Sequence, residues 1–210
     1  MITTPDITQN ETLQTIRDRR SVRLFTDQPV PEMHLLTILA AANRAPSAHN
    51  QQSWRFIVLR DAKKAALADL VNSHAGAFPR PSCALLRMAS RTILSAPVVI
   101  AVANTGELIR HGSDLFQVKR PEEVDFFRTM EIQSSAAAVQ NLLLAATSVG
   151  MGTVWLGILY LIKHEVLTFL AEPEGEFMAV IPVGYPARIS AGPKKRPLAM
   201  SIRYMDEAVG

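Results

Sequence analysis

The run Val98-Val99-Ile100-Ala101-Val102, five apolar residues without a polar break, constrains the fold more than any other stretch of the chain. A strand with one wet face alternates apolar and polar residues, so a strand without alternation must be covered on both faces. Covering layers are available. Leu13, Ile16 and Arg17 are spaced for one face of a short helix over residues 11–19. Leu35, Leu39 and Ala42 recur at helical spacing over 32–45, with Pro31 in the first turn and Pro46 as the stop. The pattern further predicts helices over 61–71, 83–93, 131–149 (closed by Gly150) and 163–170. Residues rich in β-formers predict strands over 54–59, 153–156 and 177–183. Helices alternating with strands around one mixed sheet make an α+β fold, and 210 residues suit a single domain spanning 1–210.

Composition excludes several classes. Hydrophobic residues make up 48% of the chain, enough apolar surface to offset the entropy of ordering it. One cysteine, Cys83, forms no internal disulfide and no thiolate zinc cluster. The balance of 22 Lys+Arg against 19 Asp+Glu leaves a formal charge of +3, too little for a general binder of nucleic acid, so any anion site is local. The start Met1-Ile2-Thr3-Thr4-Pro5-Asp6 has no basic segment followed by an apolar run. The longest uncharged stretch, 132–162, is broken by Gln133, Gln140, Asn141, Thr147, Ser148 and several glycines, which leaves no membrane span. A cytoplasmic protein that does not engage membranes is the expectation.

Four clusters stand out. Arg17, Arg19, Arg20 and Arg23 fall within seven residues around Ser21, with Asp18 as the one local offset. Guanidinium forks and a hydroxyl suit phosphate, and a solvated basic helix end is the plain alternative. Val22, Leu24 and Phe25 turn this segment inward. The polar stretch 45–54 joins a helix to a buried strand and suits a neutral ligand with several donors and acceptors, or is an ordinary loop. Gly150, Gly152 and Gly157 flank a short strand and permit close backbone approach. Lys194, Lys195 and Arg196, held between Pro193 and Pro197, are a fixed anion contact or a solvated loop. His34, His49, His74, His111 and His164 are scattered without ligand spacing, so no metal site is expected. With no G-x-S-x-G elbow and no P-loop either, an enzyme of this sequence depends on a bound cofactor.

In order and spacing these segments resemble the FMN-dependent nitroreductase family. Arg19-Arg20-Ser21-Val22-Arg23-Leu24-Phe25 is similar to its R-R-S-x-R-x-F opening, and Ala45 to Phe56 to its A-P-S-x-x-N-x-Q-P-W-x-F segment. Ser95-Ala96-Pro97-Val98 matches the approach to the next strand. Gln140 to Ala146 with Gly150 to Gly157 resembles Q-N-L-L-L-A-A…G-L-G-T-x-W-I-G. Val183-Gly184-Tyr185-Pro186 and Lys194 to Leu198 resemble the closing pair. Ser53 departs from the pattern, standing where the family commonly has proline.

The resemblance implies a mainly antiparallel sheet and an intertwined homodimer with FMN at the subunit interface. Arg19, Arg20 and Ser21 would hold the FMN phosphate, with Arg196 and Lys194 closing over it. Arg23 would face the pyrimidine edge and act electrostatically, with no covalent catalytic residue. Pro46, Ser47, Ala48 and Asn50 would reach the flavin from the other subunit, and backbone N–H groups around Leu156, Gly157 and Ile158 would face flavin N5. NADH or NADPH would pass hydride through N5 to an electron-poor nitroaromatic or quinone by ping-pong kinetics. Rival readings are reductive dehalogenation, flavin fragmentation, deazaflavin-cofactor metabolism and non-catalytic flavin binding. Residues 106–128, with Phe116, Phe126 and Phe127 among charges, are read as a lid insertion over the flavin, its Arg110, Lys119 and Arg120 meeting an acidic substrate, or as a surface excursion pinned by its phenylalanines.

Overall fold

The computed structural model describes residues 7–117, 120–188 and 192–205. Lys119 therefore lies outside the described residues. Among the described residues the sheet has four strands, β1 (Trp54–Leu59), β2 (Val98–Asn104), β3 (Gly152–Thr153) and β4 (Glu176–Gly184), in the order β1-β2-β4-β3. Each neighbouring pair is antiparallel, with Val98 opposite Val183 and Ile100 opposite Ile181, and a register shift between Val102 and Ala103. A parallel pairing occurs at the single bridge between Ser21 and Thr153.

Every residue of β2 is buried, as its unbroken apolar run requires. Val99, Ala101 and Ala103 point to one face and pack under α3 (Asp61–Ala75), α4 (Arg80–Ser95) and α7 (Lys163–Phe169). Val98, Ile100 and Val102 point to the other, under α2 (Glu32–Ala42) and α6 (Pro121–Ser148). The period-two alternation of a strand thus feeds two separate cores. Truncating Ile100, which is fully buried, to alanine would cost about 2–5 kcal/mol.

Several element boundaries differ from the sequence reading. The long helix begins at Pro121 rather than 131, and α5 (Glu107–Phe116) precedes it, so residues 106–128 are helical over most of their length. The charges of 121–130 hide a regular face: Phe127, Glu131, Ser134 and Ser135 recur at helical spacing and are all buried. The strand expected over 153–156 pairs only through Gly152 and Thr153, and the second helix stops at Ala42 rather than 45. α1 (Glu11–Asp18) is capped by the Asn10 side chain, which accepts the Leu13 N–H. No helix among the described residues is long and apolar enough to cross a membrane.

Candidate functional site

The segment after α1 is clamped along the sheet edge and cannot fray. Val22 N–H donates to the Thr153 carbonyl at 2.9 Å, Thr26 N–H to Tyr185 at 2.9 Å, and Ala187 N–H to Leu24 at 3.0 Å. Phe25 is buried as the inward anchor. Gly152 lets the segment approach, since a Cβ there would lie 2.6 Å from Val22 Cγ2. Val22 is half-buried and Phe25 buried, while Ser21 and Arg23 are exposed; Leu24, expected to turn inward, is exposed too.

The cleft they border has a volume of about 910 Å³. Its walls carry Arg20, Ser21 and Arg23, then Arg91 from α4, Arg188 after β4, and Gly150 to Gly152. Asp18 is the one acid there, and it is engaged by Arg17 at 2.6 Å, whose guanidinium holds its carboxyl below the ordinary value. The side chains of Arg23, Arg91 and Arg188 make no ion pair or hydrogen bond among the described residues. Three guanidinium groups lining one cleft, none of them paired with a carboxylate, are a donor set for an anion with several acceptor oxygens. Thr153 Oγ1 adds a buried hydroxyl without a partner beside the same edge.

The sequence reading named Arg20, Ser21 and Arg23 but missed Arg91 and Arg188. A lone arginine on a helix carries no local signal, and only the packing of α4 against the 21–25 segment brings Arg91 in; Ser95 Oγ lies 3.5 Å from the Arg23 carbonyl at that contact. Arg19 is half-buried, and its N–H closes α1 on the Thr15 carbonyl at 3.0 Å. Lys194 and Arg196 are exposed. Their segment nonetheless starts against the cluster: a Cβ on Gly192, which has φ +74°, would lie 2.9 Å from Arg20 Cδ and Nε. The two basic segments from opposite ends of the chain therefore meet at Arg20.

The loop residues lie elsewhere in the same chain. Pro46, Ser47, Ala48 and Asn50 do not line the cleft. Ser47 Oγ accepts the Gln52 N–H, and Ala48 N–H donates to Ser134 Oγ on α6, both at 3.1 Å. His49, Asn50 and Gln52 all have φ between 51° and 53°. Asn tolerates that region, but His and Gln pay of order 1–3 kcal/mol each, strain that clusters at ligand-binding loops. The His49 ring meets His111 and Phe116 of α5 edge-on, with centroids 6.2 and 5.9 Å apart. Leu156 is buried and its N–H is taken by the Val180 carbonyl at 2.9 Å, which withdraws it as a ligand donor and leaves Gly157 and Ile158. Gly157 is exposed at the head of a 3-10 turn, Gly157–Ile162.

A second, smaller cavity of about 280 Å³ lies where α5, α6, α7 and β4 meet. Glu131 borders it, and burial raises its carboxyl above the ordinary value against the pull of the Leu108 N–H, the Ser53 hydroxyl and Arg110. Arg128 pairs there with Glu176, which strengthens its hold on its proton. Among the described residues no cluster of His, Cys, Asp and Glu is suited to a metal ion.

A glycine-approached, arginine-lined cleft at the edge of an α+β sheet carries donors of the kind a phosphate accepts. The comparison with known proteins narrows the class. The model of the Nitroreductase family matches residues 16–185, and the chain belongs to that family. It is 30% identical over 181 residues to an Archaeoglobus fulgidus protein provisionally named NADH dehydrogenase/NAD(P)H nitroreductase, a match spanning 84% of this chain and 86% of that one. It is 31% identical to the 5,6-dimethylbenzimidazole synthase of Rhodospirillum rubrum, over 80% and 78% of the two chains. Among solved structures, a Desulfovibrio desulfuricans protein provisionally described as a nitroreductase, in complex with FMN, superposes with a TM-score of 0.67 at 29% identity, covering 97% of this chain and all of that one.

Proposed function

We propose that the protein is an FMN-dependent oxidoreductase that takes hydride from NADH or NADPH and passes it to an electron-poor acceptor such as a nitroaromatic or quinone. The observation that carries this reading is the convergence of Arg20, Ser21, Arg23, Arg91 and Arg188 on one cleft, with three of the guanidinium groups unneutralised. The donor set fits FMN, a ring system bearing a phosphate. Arg19, Arg20 and Ser21 hold the phosphate, and Lys194 and Arg196 close over it from the segment that starts at Gly192. When bound, FMN supplies the two-electron chemistry that none of the side chains can supply.

The chain's own residues provide binding, orientation and charge. Arg23 and Arg91 are fixed cations that favour negative charge developing beside them, without reorganising when it appears. Gly157 and Ile158 offer backbone N–H groups at the edge of the ring system. Donor and acceptor take turns on one face of the cleft, which gives ping-pong kinetics. The cleft is completed by a second copy, whose Pro46, Ser47, Ala48 and Asn50 reach it. Supporting this, those residues do not line the cleft of their own chain, and Leu24, Met33 and Leu36 are 53%, 71% and 52% exposed. The segment 106–128 caps the site, its α5 meeting the strained loop through His49, and selects the acceptor.

Purified protein is expected to carry the visible absorption of flavin, and anaerobic titration with each nicotinamide is expected to bleach it. Flavin that stays oxidised under excess NADH and NADPH would instead indicate a binding protein without turnover. The family resemblance also admits a second reading, fragmentation of the flavin itself, and one relative is named 5,6-dimethylbenzimidazole synthase. Aerobic incubation with reduced FMN separates the two: irreversible loss of the flavin absorbance favours fragmentation, and full reoxidation favours the oxidoreductase.

A further inference from the structure

The cleft at the sheet edge holds more positive charge than one phosphate calls for. Under the proposed function Arg19, Arg20 and Ser21 hold the FMN phosphate, and Lys194 and Arg196 close over it. A phosphate monoester carries a charge of about −2, so that set already exceeds it. Arg188 lines the same cleft, makes no ion pair or hydrogen bond among the described residues, and has no task on FMN.

Backbone geometry brings Arg188 and Arg91 to Arg23 from two sides. Phe25 and Pro186 form an antiparallel bridge, and the Ala187 N–H donates to the Leu24 carbonyl at 3.0 Å. One step further along that register Arg188 stands level with Arg23. Residues directly opposite in an antiparallel pair have Cβ atoms roughly 4.5–5.5 Å apart, and like charges there are destabilising. Arg91 arrives from α4. Ser95 follows it by one helical turn on the same face, and Ser95 Oγ lies 3.5 Å from the Arg23 carbonyl. The one acid lining the cleft, Asp18, is engaged by Arg17 at 2.6 Å. Such a cluster costs the empty protein stability, and an anion entering it offsets that cost. The chain path keeps this cluster apart from the phosphate set. Arg188 belongs to the Arg23 end, whereas Gly192, whose Cβ would lie 2.9 Å from Arg20 Cδ, starts the segment of Lys194 and Arg196 at the Arg20 end. A cleft of about 910 Å³ has room for both.

We infer that Arg188, with Arg91 beside it, forms a second anion subsite that takes the 2′-phosphate of NADPH and makes NADPH the preferred reductant. The inference rests on the reading of the cleft as an FMN site reduced by a nicotinamide. The 2′-phosphate is the one group by which NADPH differs from NADH. It is a dianionic monoester whose terminal oxygens two guanidinium forks can meet, and arginine accommodates it in other dinucleotide sites. The pyrophosphate common to both dinucleotides has one charge on each phosphorus and presents no such dianion. Arg91 and Arg188 are both exposed, as suits the end of the dinucleotide remote from its nicotinamide.

The first readout needs no turnover. The protein, reconstituted with FMN, is titrated calorimetrically with adenosine 2′,5′-bisphosphate and with 5′-AMP, which lacks the 2′-phosphate. The second readout is kcat/KM for NADPH divided by that for NADH, with one quinone as acceptor. The ratio removes any effect of Arg91 on the flavin itself, which both reductants share. The parent is expected to bind the bisphosphate about ten- to hundredfold tighter than 5′-AMP and to favour NADPH by a similar factor, the range of one charge-assisted contact. Arg188→Ala and Arg91→Ala should each lower both ratios about tenfold. Arg188→Lys should lower them less, since it keeps the charge but not the fork. An arginine with a purely structural role would shift both nucleotides together and leave the ratios alone. Equal binding of the two nucleotides by the parent, or ratios unmoved in the alanine variants, overturns the subsite. Loss of FMN from Arg188→Ala with the nucleotide ratio unmoved assigns the cluster to the FMN phosphate and overturns it as well. A parent that takes up no FMN, or shows no turnover, overturns the oxidoreductase reading while the calorimetry still judges the subsite. If one alanine variant does not fold, the other decides.

Discussion

Replacing Gly152 by alanine puts a methyl group where Val22 already stands. The added Cβ would lie 2.6 Å from Val22 Cγ2, 2.8 Å from its Cβ and 3.0 Å from Cγ1. Ordinary carbon–carbon contact is about 3.5–4.0 Å, so the two groups must part by roughly 1 Å. Rotating the valine relieves the methyl contacts but not the contact with its Cβ, which is fixed to the backbone. The backbone at Val22 must move, and with it the 2.9 Å hydrogen bond to Thr153 and the outward aim of Ser21 and Arg23. Overpacking costs about 1–3 kcal/mol and the strained hydrogen bond about 1 kcal/mol more. At roughly 2–4 °C per kcal/mol for a domain of this size, Tm should fall by roughly 5–15 °C. FMN affinity, read by quenching of flavin fluorescence, should fall about tenfold or more, because both anion-facing residues flank the displaced one. Gly76→Ala is the control. That glycine, at the end of α3, has nothing within 4 Å and does not line the cleft, so alanine there should leave FMN affinity alone. A Gly152→Ala protein that melts lower yet binds FMN as the parent does would refute the reasoning.

Further outcomes follow from the same geometry. Arg23→Ala and Arg91→Ala should each lower the midpoint potential of bound flavin and slow its reduction, checked by spectroelectrochemistry and stopped flow; unchanged potentials would remove both residues from the electrostatic role. Lys194→Ala with Arg196→Ala should weaken FMN binding and flatten its dependence on salt, measured by titration at several ionic strengths. Glu131 has its carboxyl raised above the ordinary value by burial, so the folded state favours the neutral acid. The stability this contributes is fully present below the unfolded-state value and is lost as pH rises through the raised folded-state value. Urea unfolding of the parent at a series of pH values should show that loss, and Glu131→Gln should abolish it.

The sequence was most legible where a local rule had one solution. Five apolar residues from Val98 could only be a doubly covered strand, and the alternate residues of β2 do enter two cores. The arginine–serine segment was legible because Val22 and Phe25 betray its inward turn. The start of α6 was hidden because the charged residues in its sequence outnumber the buried face of Phe127 and Glu131, although their spacing carried the signal. Arg91 and Arg188 were not legible at all, because nothing near either residue distinguishes it from a solvated surface arginine; α4 packing and the turn after β4 create their role. The left-handed geometry of His49 and Gln52 was equally hidden, since it goes with contacts the sequence does not display: the Gln52 N–H turns back to Ser47 Oγ and the His49 ring packs on α5.

The central claim is that the arginine-lined cleft at the sheet edge, through Arg19, Arg20 and Ser21, grips the phosphate of FMN. Titrating the flavin-free protein with FMN and, in parallel, with riboflavin tests it most directly, since the two differ only in that phosphate. Two charge-assisted hydrogen bonds at about 1.5–3 kcal/mol each predict FMN binding on the order of a hundredfold tighter or more, with the gap shrinking as salt rises. Equal affinity for FMN and riboflavin would contradict the account.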